Sequence, residues 1–158
     1  MPKQHTYELT VAWTGNRGSG TSAYDAYSRD HVVRVAGKAA IEASSDPAFR
    51  GDPTRHNPEE LFVASLSSCH MLWYLHLCAV NKIVVTGYVD GAIGIMQEDA
   101  NGSGRFADVL LRPRVTIGAG GDTALATRLH EEAHRFCFIA NSVNFPVRCE
   151  PSIDVSTA

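Results

Sequence analysis

The strongest constraint on the fold is a 20-residue stretch, Leu61 to Val80, that is rich in aliphatic and aromatic side chains. Asn57, just before it, is a good helix N-cap, and Pro58 suits the first helical position. Glu59 and Glu60 follow, where carboxylates complement the positive end of the helix dipole. Together these signals predict a helix that begins after Asn57 and runs to about Val80.

A helix this apolar has to be covered on most of its sides. About 20 predominantly apolar residues would also be enough to span a membrane. The stretch nevertheless contains two histidines and three serines, which favours a core helix over a membrane span. A single chain of 158 residues has few other elements to cover it, so we expect a core shared between two copies of the chain.

Composition excludes several functional classes. The formal net charge is −3, so no basic excess is available to bind a nucleic-acid backbone. Four cysteines are too few for a disulfide scaffold, and residues 1–10 lack the apolar run of a signal peptide. We therefore expect a single cytoplasmic domain over residues 1–158, with neither a membrane nor a nucleic acid as partner.

The remaining elements are read from hydrophobic periodicity and turn signals. They form blocks of strands and helices rather than a regular alternation, which favours the α+β class. We expect a strongly curved antiparallel sheet around two central helices. The second helix is predicted from Asp122 to about Ile139, and the strands are predicted at Thr6–Thr14, His31–Val35, Ala39–Ala43, Val84–Met96, Phe106–Ile117 and Phe145–Val155.

Four cysteines are the candidates for chemistry. Cys69 lies in the middle of the first helix, and Cys78 lies nine residues on, about 180° around that helix, so they cannot share a site within one chain. Cys137 lies near the end of the second helix and Cys149 in the last strand. A lone intracellular cysteine is usually a small buried hydrophobe, which is our interpretation of Cys78 and Cys149.

Two segments carry a family resemblance. The first is Asn57-Pro58-Glu59-Glu60-Leu61, followed by small and apolar residues up to Ser68-Cys69-His70. The second is Ala133-His134-Arg135-Phe136-Cys137, followed by Ala140-Asn141-Ser142. Together they resemble the osmotically inducible protein C / organic hydroperoxide resistance (OsmC/Ohr) family over nearly the whole chain. The resemblance implies an OsmC-like fold, an intertwined homodimer and a role in the oxidative stress response.

The resemblance also implies a cysteine-based peroxidase without a metal or other cofactor. Cys69 would be the peroxidatic thiolate that attacks an organic hydroperoxide and becomes a sulfenic acid. Cys137 would condense with it to a disulfide, which a dithiol reductant then reduces. This chemistry is physically sound, because the thiolate is the nucleophile and a nearby thiol protects a sulfenic acid from further oxidation. Apolar residues share the helix face of Cys69 and favour organic substrates over hydrogen peroxide: Phe62, Leu66, Leu72 and Trp73.

The resemblance assigns Glu59 as a carboxylate that orients an activating arginine. Glu59 and Cys69 are ten residues apart on one helix, which is about 15 Å along its axis. They cannot touch within one chain, so a shared site needs Glu59 from a second copy. The structural alternative for Glu59 is a favourable interaction with the helix dipole.

The sequence departs from the family pattern at two places. The family arginine lies either in an early turn, where this chain has Arg17, or just before a Phe-x-Gly stretch, where it has Ala48. Arg17 and Arg50 are equal candidates for the role, with Arg55 behind them. Phe138 also stands where proline commonly follows the second cysteine. These departures motivate an alternative function, a catalytically degenerate OsmC-like binding or stress protein.

A second constellation lies in the predicted second helix. His130 and His134 belong to an H-E-x-x-H pattern and would share one helix face, with Cys137 as a possible third zinc ligand. No further histidine motif follows, and a metalloprotease in so short a chain is uncommon. We therefore keep a zinc site as the lesser alternative and expect both histidines at the helix surface.

Overall fold

The computed structural model describes residues 1–157, which form two compact units, Met1–Leu61 and a second that begins at Phe62. Two α-helices and nine strands lie in the described residues. They are β1 (Thr10–Trp13), β2 (His31–Arg34), β3 (Ile41–Ala43), α1 (Pro58–Val80), β4 (Val85–Asp90), β5 (Ile93–Glu98), β6 (Gly104–Leu111), β7 (Pro113–Ile117), α2 (Thr123–Phe136), β8 (Val147–Cys149) and β9 (Ser152–Val155). Short 3-10 helices occupy Pro47–Phe49 and Ala140–Ser142.

The first unit contains an antiparallel sheet in the order β1-β2-β3. β1 is shorter than the predicted Thr6–Thr14, and its apolar side chains are exposed, not half-buried as the alternation predicts. Val11 and Trp13 of β1 are exposed, as is Leu9 just before the strand. The reason is that residues 1–61 supply no second layer against which this face of the sheet could pack.

The predicted first helix is confirmed with its boundaries. The Asn57 side chain accepts a hydrogen bond from the Glu60 backbone N–H (2.9 Å) and donates one to the Glu60 carboxylate (2.7 Å), a reciprocal cap. By length and composition alone α1 could cross a membrane, and only 28% of its most apolar 18-residue window is buried within the chain. Leu72, at 62% exposed, lies on the uncovered part.

The second unit contains two three-stranded sheets, β4-β7-β9 and β5-β6-β8. The α+β class is confirmed, but the sheets of this unit are mixed and not purely antiparallel, because β8 pairs in parallel with β6 and β9 in parallel with β7. The two long strands predicted between Val84 and Ile117 are each broken in two. At the breaks the Arg112 N–H donates to Asp90 (2.7 Å) and the Arg112 side chain donates to the Gly91 carbonyl (2.7 Å).

Two groups of buried side chains form the core of the second unit. The larger is built on Tyr74, Leu77, Val115, Ile117 and Leu129, and the smaller on Leu66, Val109 and Leu111. α2 begins as predicted, because Asp122 caps it by accepting from the Leu125 N–H (3.0 Å). It ends at Phe136, earlier than the expected Ile139, with Cys137 as its C-cap residue in an extended conformation.

Candidate active site

Cys69 and Cys137 lie together in the second unit. Cys69 is partly exposed in the middle of α1, whereas Cys137 directly follows α2 and is 2% exposed. The two side chains are near enough for Cys69 to raise the pKa of the Cys137 thiol, and both cysteines are free. Two residues that are 68 positions apart in the chain thus form a dithiol pair.

The surroundings of Cys137 favour its protonated form. Burial raises the pKa of the Cys137 thiol to about 11, and the neighbouring Cys69 acts in the same direction. The Ala140 backbone N–H, 3.5 Å from the sulfur, opposes the shift only in part. Cys137 is therefore a thiol, not a thiolate, at neutral pH.

Hydrogen bonds hold the segment after α2 in place around Cys137. The Asn141 backbone N–H donates to the Cys137 carbonyl (3.0 Å), and its side-chain amide donates to the Arg135 carbonyl (3.0 Å). The Ser142 hydroxyl donates to the Phe138 carbonyl (2.7 Å). These bonds limit the freedom of the segment and so position the Cys137 sulfur.

An aromatic cluster lies next to the dithiol pair. Trp73, one helical turn after Cys69, stacks on Phe136 at 5.1 Å between ring centroids and meets Phe138 edge-on at 5.6 Å. Phe138 is 66% exposed. Trp73 also lines a shallow cavity of about 250 Å³ together with Leu72 and His76. Apolar surface therefore lies beside the dithiol pair.

The candidate arginines Arg17 and Arg50 lie in the first unit and are both exposed. The loop of Arg17 is shaped by Asn16, whose side-chain oxygen accepts from two backbone N–H groups, at 2.9 and 3.0 Å. Arg50 has a left-handed backbone (φ 63°), and its guanidinium lies 5.8 Å from the Tyr24 ring centroid. The activating role of either arginine at Cys69 stays a prediction.

Arg55 and Glu59, also in the first unit, are held differently. Arg55 is half-buried, with Nε 3.6 Å from the Asp30 carboxylate and 4.0 Å from that of Asp52. Its Nη1 is buried and has no hydrogen-bond partner among residues 1–157. Glu60, not Glu59, makes the helix cap, so the Glu59 carboxylate lies outside that contact. The orienting role of Glu59 also stays a prediction.

The two histidines of the H-E-x-x-H pattern have separate environments. His134 is exposed as expected, but His130 is only 2% exposed, which corrects our surface placement of it. Within residues 1–157 the one group of three metal-ligand side chains is His70, His130 and Cys149. The zinc set kept as the lesser alternative, His130 with His134 and Cys137, does not come together in this part of the chain.

Sequence reasoning missed this second cluster. His70 Nε2 lies 3.0 Å from His130 Nδ1, and the Cys149 sulfur lies 3.8 and 3.9 Å from these two nitrogens. From the sequence, Cys149 is interpreted as a small buried hydrophobe, and His70 appears only at the end of the Ser68-Cys69-His70 segment. The three residues come from α1, α2 and β8, so no local spacing could have indicated that they meet.

The fold and the site define a class of protein. It is a small α+β protein with a pair of thiols, one in α1 and the other at the end of α2. A family model described as OsmC-like protein matches residues 51–152. The chain therefore belongs to the OsmC-like family. No curated protein matches it.

Solved structures agree with this assignment. An OsmC-like protein of unknown function from Vibrio cholerae is 33% identical, with a TM-score of 0.84, and the alignment covers 94% of this chain and 100% of that one. An organic hydroperoxide resistance protein from Elizabethkingia anophelis is 19% identical (TM-score 0.70; 99% and 100% covered). One from Legionella pneumophila is 18% identical (TM-score 0.70; 98% and 100% covered). At these lower identities the likeness concerns the fold alone.

Proposed function

We propose that the protein is a thiol peroxidase that reduces organic hydroperoxides. The observation that carries the proposal is the proximity of the Cys69 and Cys137 side chains, one partly exposed and the other buried. An exposed sulfur can meet a substrate, and a buried thiol next to it can wait for the oxidised product. The names of the Elizabethkingia and Legionella structures are consistent with this activity.

The reaction has two chemical steps. The Cys69 thiolate attacks one peroxide oxygen, the O–O bond breaks, and Cys69 becomes a sulfenic acid while the alkoxide leaves as an alcohol after protonation. The Cys137 thiol then attacks the Cys69 sulfur, forming the disulfide and releasing water. Two thiols of an external dithiol reductant restore both cysteines and are themselves oxidised to a disulfide.

The environment of each sulfur fits its assigned role. Burial keeps Cys137 protonated, so it does not compete for the peroxide. Trp73, Phe136 and Phe138 place aromatic surface beside the pair, where the organic part of a hydroperoxide would bind. We therefore expect kcat/KM for cumene hydroperoxide to exceed that for hydrogen peroxide.

A homodimer is part of the proposal. α1 exposes apolar side chains such as Leu72 and Val80, and β1 exposes Val11 and Trp13, surfaces that a second copy would cover. A second copy would also supply Glu59, which lies too far along α1 to reach Cys69 of its own chain. A monomer by light scattering at micromolar concentration would contradict this part of the proposal.

The experiment is peroxide consumption combined with intact mass. Cys69→Ser should abolish turnover, whereas Cys137→Ser should react once and then stall as Cys69 gains oxygen. The wild type should lose two hydrogens, about 2 Da, when the disulfide forms. Cys78→Ser, which removes a buried thiol outside the pair, is the matched control and should turn over normally.

Absence of turnover in the wild type would favour the alternative, an OsmC-like protein that has lost the activity. Normal turnover of Cys137→Ser would exclude the two-cysteine mechanism. To identify the arginine, the same assay is run on Arg17→Gln, Arg50→Gln and Arg55→Gln, and the activating residue is the one whose loss slows the first step.

A further inference from the structure

The His70, His130 and Cys149 cluster has the composition of a metal site. The two imidazoles and the thiol lie on three different elements of the second unit, and the histidines are 1% and 2% exposed. Their ligand atoms all lie within 4.8 Å of one another. A set of two nitrogens and one sulfur is the kind of set that zinc binds in proteins.

The distances within the cluster fit an ion at its centre. The separations are 3.0 Å between the nitrogens, and 3.8 and 3.9 Å from the sulfur to each of them. The point equidistant from the three atoms lies about 2.1 Å from each, close to zinc–nitrogen bonds of about 2.0–2.1 Å and zinc–sulfur bonds of about 2.3 Å.

The site has room for a fourth ligand. His130 and Cys149 line a cavity of about 280 Å³, together with Thr127, Glu131, His134, Val147 and Pro151. An ion at the centre of the cluster would therefore have three protein ligands and a path to solvent. That arrangement leaves a coordination position for water, as in open zinc sites.

The two imidazole rings present their inner nitrogens to each other. The rings are within 5° of parallel with centroids 5.3 Å apart, so His70 Nε2 and His130 Nδ1 face each other across the 3.0 Å separation. The outer nitrogen of His130, Nε2, is buried without a hydrogen-bond partner among residues 1–157, and it takes no part in binding the ion.

We propose that His70, His130 and Cys149 bind one Zn²⁺ per chain, through His70 Nε2, His130 Nδ1 and the Cys149 thiolate. The ion replaces the hydrogen bond between the rings, and the ring that donated this bond shifts its proton from its inner to its outer nitrogen. The rings then turn so that both inner nitrogens direct lone pairs at the ion. The thiol loses its proton to solvent, so one proton leaves for each ion bound.

The test is an anaerobic titration of reduced, chelator-treated protein with Co²⁺, followed by displacement with Zn²⁺. We expect one Co²⁺ per chain with a thiolate-to-cobalt charge-transfer band, and one proton released per ion by calorimetry in buffers of different ionisation enthalpy. Cys149→Ser should lose the band and weaken binding at least about 10- to 100-fold. Cys78→Ser is the control for loss of a buried thiol elsewhere and should keep both.

A second variant tests the metal site independently of the dithiol pair. Cys69→Ser combined with Cys137→Ser abolishes the proposed peroxidase but should retain the band, so failure of one proposal does not imply failure of the other. If Cys149→Ser does not fold, the serine triple variant at Cys69, Cys78 and Cys137 leaves Cys149 as the remaining thiol, and the band should persist. No stoichiometric binding by the wild type, or a band that survives Cys149→Ser, would overturn the proposal.

Discussion

The ionisation of the buried Cys137 thiol should lower the free energy of unfolding at alkaline pH. Burial raises its pKa to about 11 in the folded chain, against 9.0 for an ordinary cysteine. A raised thiol pKa means that the folded state favours the neutral form. This contribution to stability is fully present below about pH 9 and is lost as the pH rises toward 11.

The size of the effect follows from linkage. One pKa unit corresponds to about 1.4 kcal/mol, so the thiol should contribute about 2 kcal/mol less at pH 10.5 than at pH 7.5. Replacing Cys137 by alanine removes the titrating group. The difference in unfolding free energy between wild type and Cys137→Ala should therefore shrink by that amount between the two pH values.

The assay is chemical denaturation at both pH values, with Cys137→Ser as a second comparator that keeps a side chain of similar size. Other alkaline groups, such as the tyrosines, titrate in all three proteins and cancel in the comparison. Equal losses of stability in the wild type and both variants would refute the conclusion that burial holds Cys137 as a thiol.

Three further substitutions test the packing and the loops. Leu66→Ala empties a fully buried position and should lower the unfolding free energy by about 2–5 kcal/mol in urea denaturation. Tyr74→Phe removes the buried hydrogen bond to the Ala126 carbonyl (2.9 Å) and should cost about 1 kcal/mol, whereas unchanged stability would contradict the contribution of that bond. Gly51→Ala would place a Cβ atom 1.6 Å from the Ser45 carbonyl oxygen, so it should displace this loop and lower the melting temperature.

The helix starts could be predicted from the sequence because their signals are local. Asn57 caps α1 through an atom three residues away, and Asp122 caps α2 in the same way. Such contacts form within a single turn and depend little on the rest of the chain. The end of α2 was misplaced by three residues, because the segment after Cys137 is held by bonds that run back along the chain from Asn141 and Ser142.

The breaks in the long strands depended on tertiary contacts. Arg112 bonds to Asp90 and Gly91 across 22 and 21 positions of sequence, so periodicity within either strand could not reveal them. The same holds for the exposure of β1, since alternation indicates that a strand has two different faces but not whether anything covers the apolar one.

Neither of the two sites that contain cysteine could be located from local sequence patterns alone. Cys69 and Cys137 could be paired beforehand only through the family resemblance, because 68 intervening positions leave no spacing rule to join them. His70, His130 and Cys149 had no such guide, and their meeting was decided by the packing of α1, α2 and β8. Contacts between residues that are close in sequence can be predicted from the sequence alone. A site built from three elements forms only when long-range packing brings their side chains within bonding distance.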